Sequence, residues 1–397
     1  MTPVSPTEMA HTATPTRIAV IEPSGRLYGS EFCLLDILDG ADSRLFDWTV
    51  IMPSGNGFDT LLAERNVQCE FLMPAESGGV SRLRRAGIYL RILARLRSLA
   101  PDVLYINQTG SLRVASIYAK WLKLPVVCQV QTLEDARWVS NRPELHHSVK
   151  AFICNSRYIA DLTNVDQHKK CILYQGLPKQ RLDNTVVSAQ KKQALNPKEG
   201  VTIGILGRIA VSKGHYLLLD AAKQLLQQGR AYRFVVIGAG LTQKDTDDFK
   251  SAVAAAGMQQ HFEFRGYQTD IEGELKNVDL LAIPSIAEPL GRVLFDAAEF
   301  GVPVVVADSG GLGEVSRRFE IGRRFTANDS DALANTISES VDAFPAVANQ
   351  FQTAAVDLFR RLPIAPYIKS VERILTQCAN RQLSSEVWLG LEAAPSE

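Results

Sequence analysis

The stretch AIPSIAEPLGRVLFDAAEFGVPVVVADSGGLGE, residues 282–314, decides the fold. Its beginning completes a short apolar run, 280–283, of the length of a buried strand. The run breaks at Pro284-Ser285, and a loop carries Glu288 into Pro289-Leu290-Gly291. A helix is expected next, with Arg292 in its first turn and Asp296 one to two turns in. A second buried strand, 302–307, ends in the loop holding Gly310-Gly311. Strand, helix and parallel strand form a βαβ unit. Its helix starts at the carboxyl ends of the strands, where the first amides have no partner within the helix. With an acid at that mouth, the place suits an anionic or hydroxyl-rich small molecule.

The same grammar runs outward in both directions. Strand-like runs at 17–22, 47–52, 67–72, 102–106, 125–130, 151–154 and 171–174 alternate with helical patterns. A second series follows at 201–206, 233–237, 262–265, 279–283 and 302–306. Such alternation specifies parallel α/β sheets, and 397 residues are about two domains' worth of chain. The expected layout is a Thr- and Pro-rich disordered leader (1–16), a Rossmann-like domain (17–183) and a polar linker (184–200). A second Rossmann-like domain (201–362), a helix (363–382) and a loose tail (383–397) complete it.

Lys plus Arg and Asp plus Glu number 43 each, so the formal net charge is zero. Residues 1–200 carry 24 basic against 19 acidic residues, which leaves 19 against 24 in the remainder. Neither half is basic enough to suggest nucleic acid. The cysteines, 33, 69, 128, 154, 171 and 378, form no C-x-x-C pair and read as reduced core residues. No segment has the length and apolarity of a membrane span, and 1–16 lacks a signal-peptide core. A cytoplasmic location is the expectation.

Three more motifs carry chemistry: GILGRIAVSKG at 204–214, FVVIGAG at 234–240 and PSGRLYGSE at 23–31. With DVLYIN (102–107), LPVVCQVQ (124–131), FICNSRY (152–158) and the 282–314 stretch, they resemble the retaining glycosyltransferases of family 4. The resemblance covers most of 17–380. It implies the GT-B fold: two Rossmann-like domains facing across a cleft, with a terminal helix returning to the first. The "LYGSE" and "EPLGRV" segments look most like the branch that builds bacterial exopolysaccharide or lipid-linked glycans.

The resemblance also implies roles. A nucleotide-sugar departs as a nucleoside diphosphate, and its growing negative charge calls for fixed cations. Arg208, directly after the strand-ending Gly207, and Lys213 match the family's diphosphate-binding pair. Glu288 matches the acid that contacts the donor sugar, and Leu290 and Gly291 the amides beside it. Taken alone, Glu288 would read as a helix-start acid satisfying the dipole. Asp296 stands where relatives carry the second acid of an E-x7-E pattern, the ribose partner. Glu299 is a conceivable substitute for it, but lies about 60° off that face and one turn further away. Gly29 is expected to let backbone approach the diphosphate, and the loop holding Gly266 and Tyr267 to hold the base. Gln131 replaces a histidine common in relatives; it can hydrogen-bond a sugar hydroxyl but cannot act as a base. Asn107 and Asn155-Ser156 read either as cleft residues or as helix caps. The implied reaction needs no metal or other cofactor.

Two further segments carry weaker signals. Asp245-Thr246-Asp247 spells D-x-D but leads into a helical run, which favours helix-start acids. Residues 81–99 hold six arginines and no acid. On a helical wheel Ile88, Tyr89, Ile92, Leu93, Leu96 and Leu99 share one face, and Arg84, Arg91 and Arg95 the opposite edge. That edge reads either as a solvated face or as a contact with anionic membrane. The expected partners are therefore a UDP- or GDP-sugar donor, a glycan or lipid-linked acceptor and, through those arginines, a membrane surface. The competing functions are a nucleotide-sugar epimerase and a non-catalytic, nucleotide-binding subunit of a synthase complex.

Overall fold

The computed structural model describes residues 14–24, 29–55, 57–73, 81–178, 181, 183, 200–230 and 232–381. The expected tail (383–397), most of the expected leader and residues 184–199 of the expected linker lie outside them. Seven parallel strands form the first sheet: β1 (Thr16–Ile21), β2 (Phe46–Met52), β3 (Gln68–Phe71), β4 (Val103–Ile106), β5 (Val126–Val130), β6 (Val149–Cys154) and β7 (Lys170–Ile172). Six make the second: β8 (Thr202–Leu206), β9 (Arg233–Ile237), β10 (Phe262–Gly266), β11 (Leu280–Ile283), β12 (Val304–Ala307) and β13 (Arg323–Phe325). Their orders are β3-β2-β1-β4-β5-β6-β7 and β10-β9-β8-β11-β12-β13. Both are doubly wound, with the reversal at β1/β4 and at β8/β11, where ligands bind in such sheets. The α/β fold with two Rossmann-like domains is as the sequence predicts.

Apolar runs without alternation make these strands, because helices cover both faces of each sheet. β4, β5, β11 and β12 are buried along their whole length. Strand β13 was not anticipated: Arg-Arg-Phe is too short and too charged to register, and only its Phe325 is buried. Side-chain caps set several helix starts. Thr132 and Asp135 form a capping box, as do Thr242 and Asp245. The D-x-D tripeptide is thus a helix start, as its context suggested. Cys69 is half-buried and the other five cysteines are buried, all as free thiols.

Helix Phe344–Arg361 lies on the second domain and buries Phe351, Ala355, Leu358 and Phe359 there. Pro363 then interrupts the helical run, since its ring cannot continue it. The next helix, Ile364–Ala379, belongs to the other core, where Tyr367, Ile368, Val371, Ile374, Leu375 and Cys378 are buried as it packs on β4, β5 and β6 and on helix Gly29–Gly40. The crossing is pinned where two segments meet: Leu177 N–H donates to Leu362 O at 2.7 Å and Ile364 N–H to Leu177 O at 3.0 Å. A Cβ on Gly176 would lie 2.7 Å from Ile364 Cα, so only glycine fits between them.

Helix Arg82–Leu99 forms as its pattern requires, capped by Ser81, with Ile92 and Leu96 buried. One of its arginines differs from expectation. Arg95 turns along the helix edge to Glu70 at the end of β3, at 2.6 Å, and is not part of a free basic edge. Edge strand β3 supplies an acid that a helical wheel cannot see. Among the described residues, no helix is long and apolar enough to cross a membrane.

Candidate active site

A cleft of about 360 Å³ opens between the carboxyl ends of the two sheets. From the first domain it is lined by Gly29 and Ser30 at the first helix, Asn107 and Gln108 after β4, Gln131, Thr132 and Asp135 after β5, Asn155 after β6, and Gln175. The second domain contributes one continuous loop, Glu288 to Arg292, between β11 and its helix.

That loop is shaped by glycine and by reach across the cleft. Gly291 caps helix Arg292–Glu299 at φ 87°, a left-handed backbone that L residues avoid. Leu290 buries its side chain in the second core, leaving the backbone toward the cleft. The amides of Leu290 and Gly291 have no protein acceptor among the described residues, as expected where a helix begins. Ser156 caps helix Arg157–Leu162 and also donates its hydroxyl to Pro289 O at 2.6 Å, tying the loop to the first domain. Both sequence readings of Asn155-Ser156 therefore hold, one for each residue.

Glu288 lines the cleft and is gripped by Lys213, with Nζ at 2.5 Å from Oε2. Two residues assigned separately, one to sugar and one to phosphate, thus form a single ion pair. Lys213 is placed by Gly214, whose φ of 78° and contact with the Pro284 backbone admit no side chain. Ser212 O accepts from Ile286 N–H at 3.0 Å, which joins the two loops. Burial holds His215, just beyond, neutral, with its pKa lowered to about 4.

Other expected residues lie elsewhere. Arg208 is exposed and not among the cleft-lining residues. It follows Gly207, one of three glycines stacked at the ends of β8, β9 and β10; Gly238 N–H donates to Gly266 O at 2.8 Å, and Gly207 N–H to Ile237 O at 2.9 Å. The 238–240 turn is therefore structural support for the Gly207 loop. Tyr267, after Gly266, is 77% exposed. Asp296 is also outside the cleft lining: Arg181 reaches its Oδ1 at 3.1 Å and the Glu299 carboxylate at 3.2 Å. Asp296, expected to contact the ribose, is ion-paired here, because one guanidinium spans two carboxylates three residues apart. Arg181 gave no signal in the sequence, since its partners are over a hundred residues away.

Gly29 and Gln131 stand as expected at the cleft. A Cβ on Gly29 would lie 3.4 Å from Arg292 Cδ, so the Gly29 backbone meets the aliphatic stem of Arg292 across the gap. Arg292 itself, not assigned from sequence, donates to Gln175 Oε1 at 2.6 Å, and Gln175 Nε2 to Asp36 at 2.7 Å. Gln131 Nε2, Asn107 Oδ1 and Asn155 Oδ1 are buried with no protein partner among the described residues. The three residues line one wall of the cleft, and each keeps a buried polar atom that calls for a hydrogen-bonding partner. Behind them, Glu22 is fully buried and accepts from Asn107 Nδ2 at 2.7 Å. Burial, and then the charge of Glu31, push its carboxyl up to about 7.

Glu314, in helix Gly310–Arg318, completes the interdomain contacts. It accepts from the amides of Arg157 and Tyr158, at 3.1 and 2.8 Å, and from the Tyr174 hydroxyl.

Residues 186–346 match the family model described as Glycosyl transferases group 1. The 2-deoxystreptamine glucosyltransferase of Streptomyces kanamyceticus is 30% identical over 155 residues, 38% of this chain and 39% of that protein. The glycogen synthase of Mycobacterium tuberculosis is 25% identical over 284 residues, 68% of this chain and 67% of its own length. This chain thus spans about two fifths of the first of these relatives. Among solved structures, HepE of Anabaena with UDP and glucose superposes with a TM-score of 0.76 at 21% identity, covering 91% of this chain and 99% of that one. The fold is GT-B, and group 1 glycosyltransferases are the family this chain is similar to.

Proposed function

We propose that the protein is a retaining glycosyltransferase that moves a hexose from a UDP- or GDP-sugar to a hydroxyl of a glycan or lipid-linked acceptor. One observation carries this reading: Glu288, ion-paired to Lys213 behind the cleft lining, and the unpaired amides of Leu290 and Gly291 share one cleft with Gln131, Asn107 and Asn155. Charge on one wall and neutral hydrogen-bonding groups on the other match a diphosphate joined to a sugar.

In the proposed step the anomeric C–O bond to the diphosphate breaks, and the acceptor oxygen forms its bond on the same face of the ring. The acceptor proton passes to the departing phosphate oxygen, so Gln131 need not serve as a base. Lys213 and the helix-start amides neutralise the developing charge, with Arg208 joining when the donor draws its loop inward. Glu288 holds the hexose hydroxyls, and Gln131, Asn107 and Asn155 satisfy the remainder. The bound UDP in HepE supports the nucleotide part of the reading. The choice between uracil and guanine rests with the loop at Gly266 and Tyr267.

Purified protein offered a panel of UDP- and GDP-sugars decides the matter. Acceptor-dependent nucleotide release with stable sugar incorporation, the anomeric configuration read by NMR, is the expected result. Interconversion of sugars without release would make it an epimerase. Binding without any release would make it the non-catalytic subunit.

A further inference from the structure

Helices Arg82–Leu99 and Leu112–Leu122 lie side by side on one face of the first sheet. Both feed the same core, the first through Ile92 and Leu96, the second through Leu112, Ala115, Tyr118 and Ala119. Tyr118 Oη donates to Tyr89 O at 3.0 Å and fixes one helix against the other. With their apolar sides used inward, their outer sides are expected to be polar. They are not. Leu83 is 88% exposed, Leu90 66%, Trp121 75% and Ile117 51%.

The placement of these four is regular. At 100° per residue, Leu83, Leu90 and Ala94 fall within about 40° of one another, and Ile117 and Trp121 are one turn apart. Exposed cations flank both stripes: Arg84, Arg91 and Arg97 on the first helix, Arg113 and Lys120 on the second. None of these five forms an ion pair among the described residues. From 81 to 124 there are nine Lys and Arg and one acid, Asp102, which Arg17 holds at 3.4 Å. Arg95 is drawn off by Glu70. Single exposed leucines are ordinary on protein surfaces. Four large apolar side chains on two adjoining helices, one of them Trp, rimmed by unpaired cations, are the pattern of a helix pair lying in a lipid interface.

We propose that this face docks on an anionic phospholipid bilayer. The four apolar side chains enter the boundary between headgroups and acyl chains, and the flanking cations meet headgroup phosphate. The site is independent of the sugar-transfer reading, although it adjoins the cleft: the second helix begins five residues after Asn107. An acceptor anchored in the same bilayer would approach from that side.

Co-sedimentation with phosphatidylcholine vesicles, with and without phosphatidylglycerol, tests the proposal. The full chain is expected to bind only the anionic vesicles and to release in high salt. Tryptophan emission should shift to the blue on binding, and Trp121→Phe should remove that shift. Leu83→Ser with Leu90→Ser should weaken binding at least tenfold, and Arg84→Gln or Arg91→Gln about fivefold each. Arg95→Gln should leave it unchanged. Unaltered melting temperatures establish that the variants fold. Equal binding to neutral vesicles, no binding, or insensitivity to Leu83, Leu90 and Trp121 would overturn the proposal. So would a dimer in lipid-free buffer that the same substitutions dissociate, which would make the face a self-association surface.

Discussion

The two walls of the cleft are built on opposite plans. The second domain presents charge held by glycine: Glu288 at the cleft, already paired with Lys213 behind it, each on a loop whose neighbouring glycine admits no side chain. The first domain presents mainly neutral amides, three of them with an unused hydrogen-bonding atom, beside Asp135, whose carboxylate is engaged in the Thr132 cap, and in front of a buried acid. A wall built of fixed charge suits one invariant group such as a diphosphate. Amides, which can donate or accept, suit a partner whose hydroxyls vary. On the proposed reading, the difference would have group class and substrate detail read on separate domains.

The sharpest way to break this contrast is to discharge the charged wall. Lys213→Met is expected to lower kcat by about 10²–10³-fold, the usual cost of one lost donor to developing charge. Gln131→Leu on the other wall should instead raise KM with a smaller effect on kcat. Steady-state kinetics on both variants compares the walls directly, and equal losses in kcat would erase the distinction.

Rigidity of the charged wall is tested next. In Gly214→Ala the new Cβ meets the Pro284 backbone at a φ of 78°. About 3 kcal/mol of lost stability is expected from strain and clash together, read by chemical denaturation. A loss below 1 kcal/mol would mean that the loop yields easily.

The tie between the walls is smaller. Ser156→Ala removes the 2.6 Å bond to Pro289 O and the cap on Ile159 N–H, for a cost of about 1–2 kcal/mol. Because Pro289 sits beside Glu288, donor KM should rise several-fold while the fold remains intact.

The smallest effect concerns pH. The Glu22 carboxyl is raised to about 7 from an ordinary 4.5, first by burial and then by Glu31. Between those values the folded state holds a proton that the unfolded chain releases. Its stabilising contribution is therefore complete below pH 4.5 and lost as pH rises through 7. Relative to wild type, Glu22→Gln should gain melting temperature between pH 5 and pH 8. A constant offset across that range would count against the buried-acid account.

How much of this was legible in the chain depends on how far each partner lies in sequence. Every strand with a continuous apolar run was readable. Strand β13 was not, since an edge strand of three residues holds its place by pairing with β12. Glu288, Leu290, Gly291, Gln131 and Gly29 could be placed at the cleft because each lies at the carboxyl end of a readable strand or the start of its helix. Arg208 and Asp296 could be placed on their elements, but not by what surrounds them. The partners of Arg181, Arg292 and Glu314 were illegible for the same reason: they are 115, 117 and 157 residues away.

By itself the sequence determined two doubly wound parallel sheets and the loops where chemistry would gather, because hydrophobic period and turn glycines act locally. Only the tertiary structure decided which charges remain available. It spent Asp296 on Arg181 and Arg95 on Glu70, paired Lys213 with Glu288, and left three amides and an exposed Trp121 face unmatched. Ion pairing depends on distance in space, and the strand order that sets that distance is not written in any single segment.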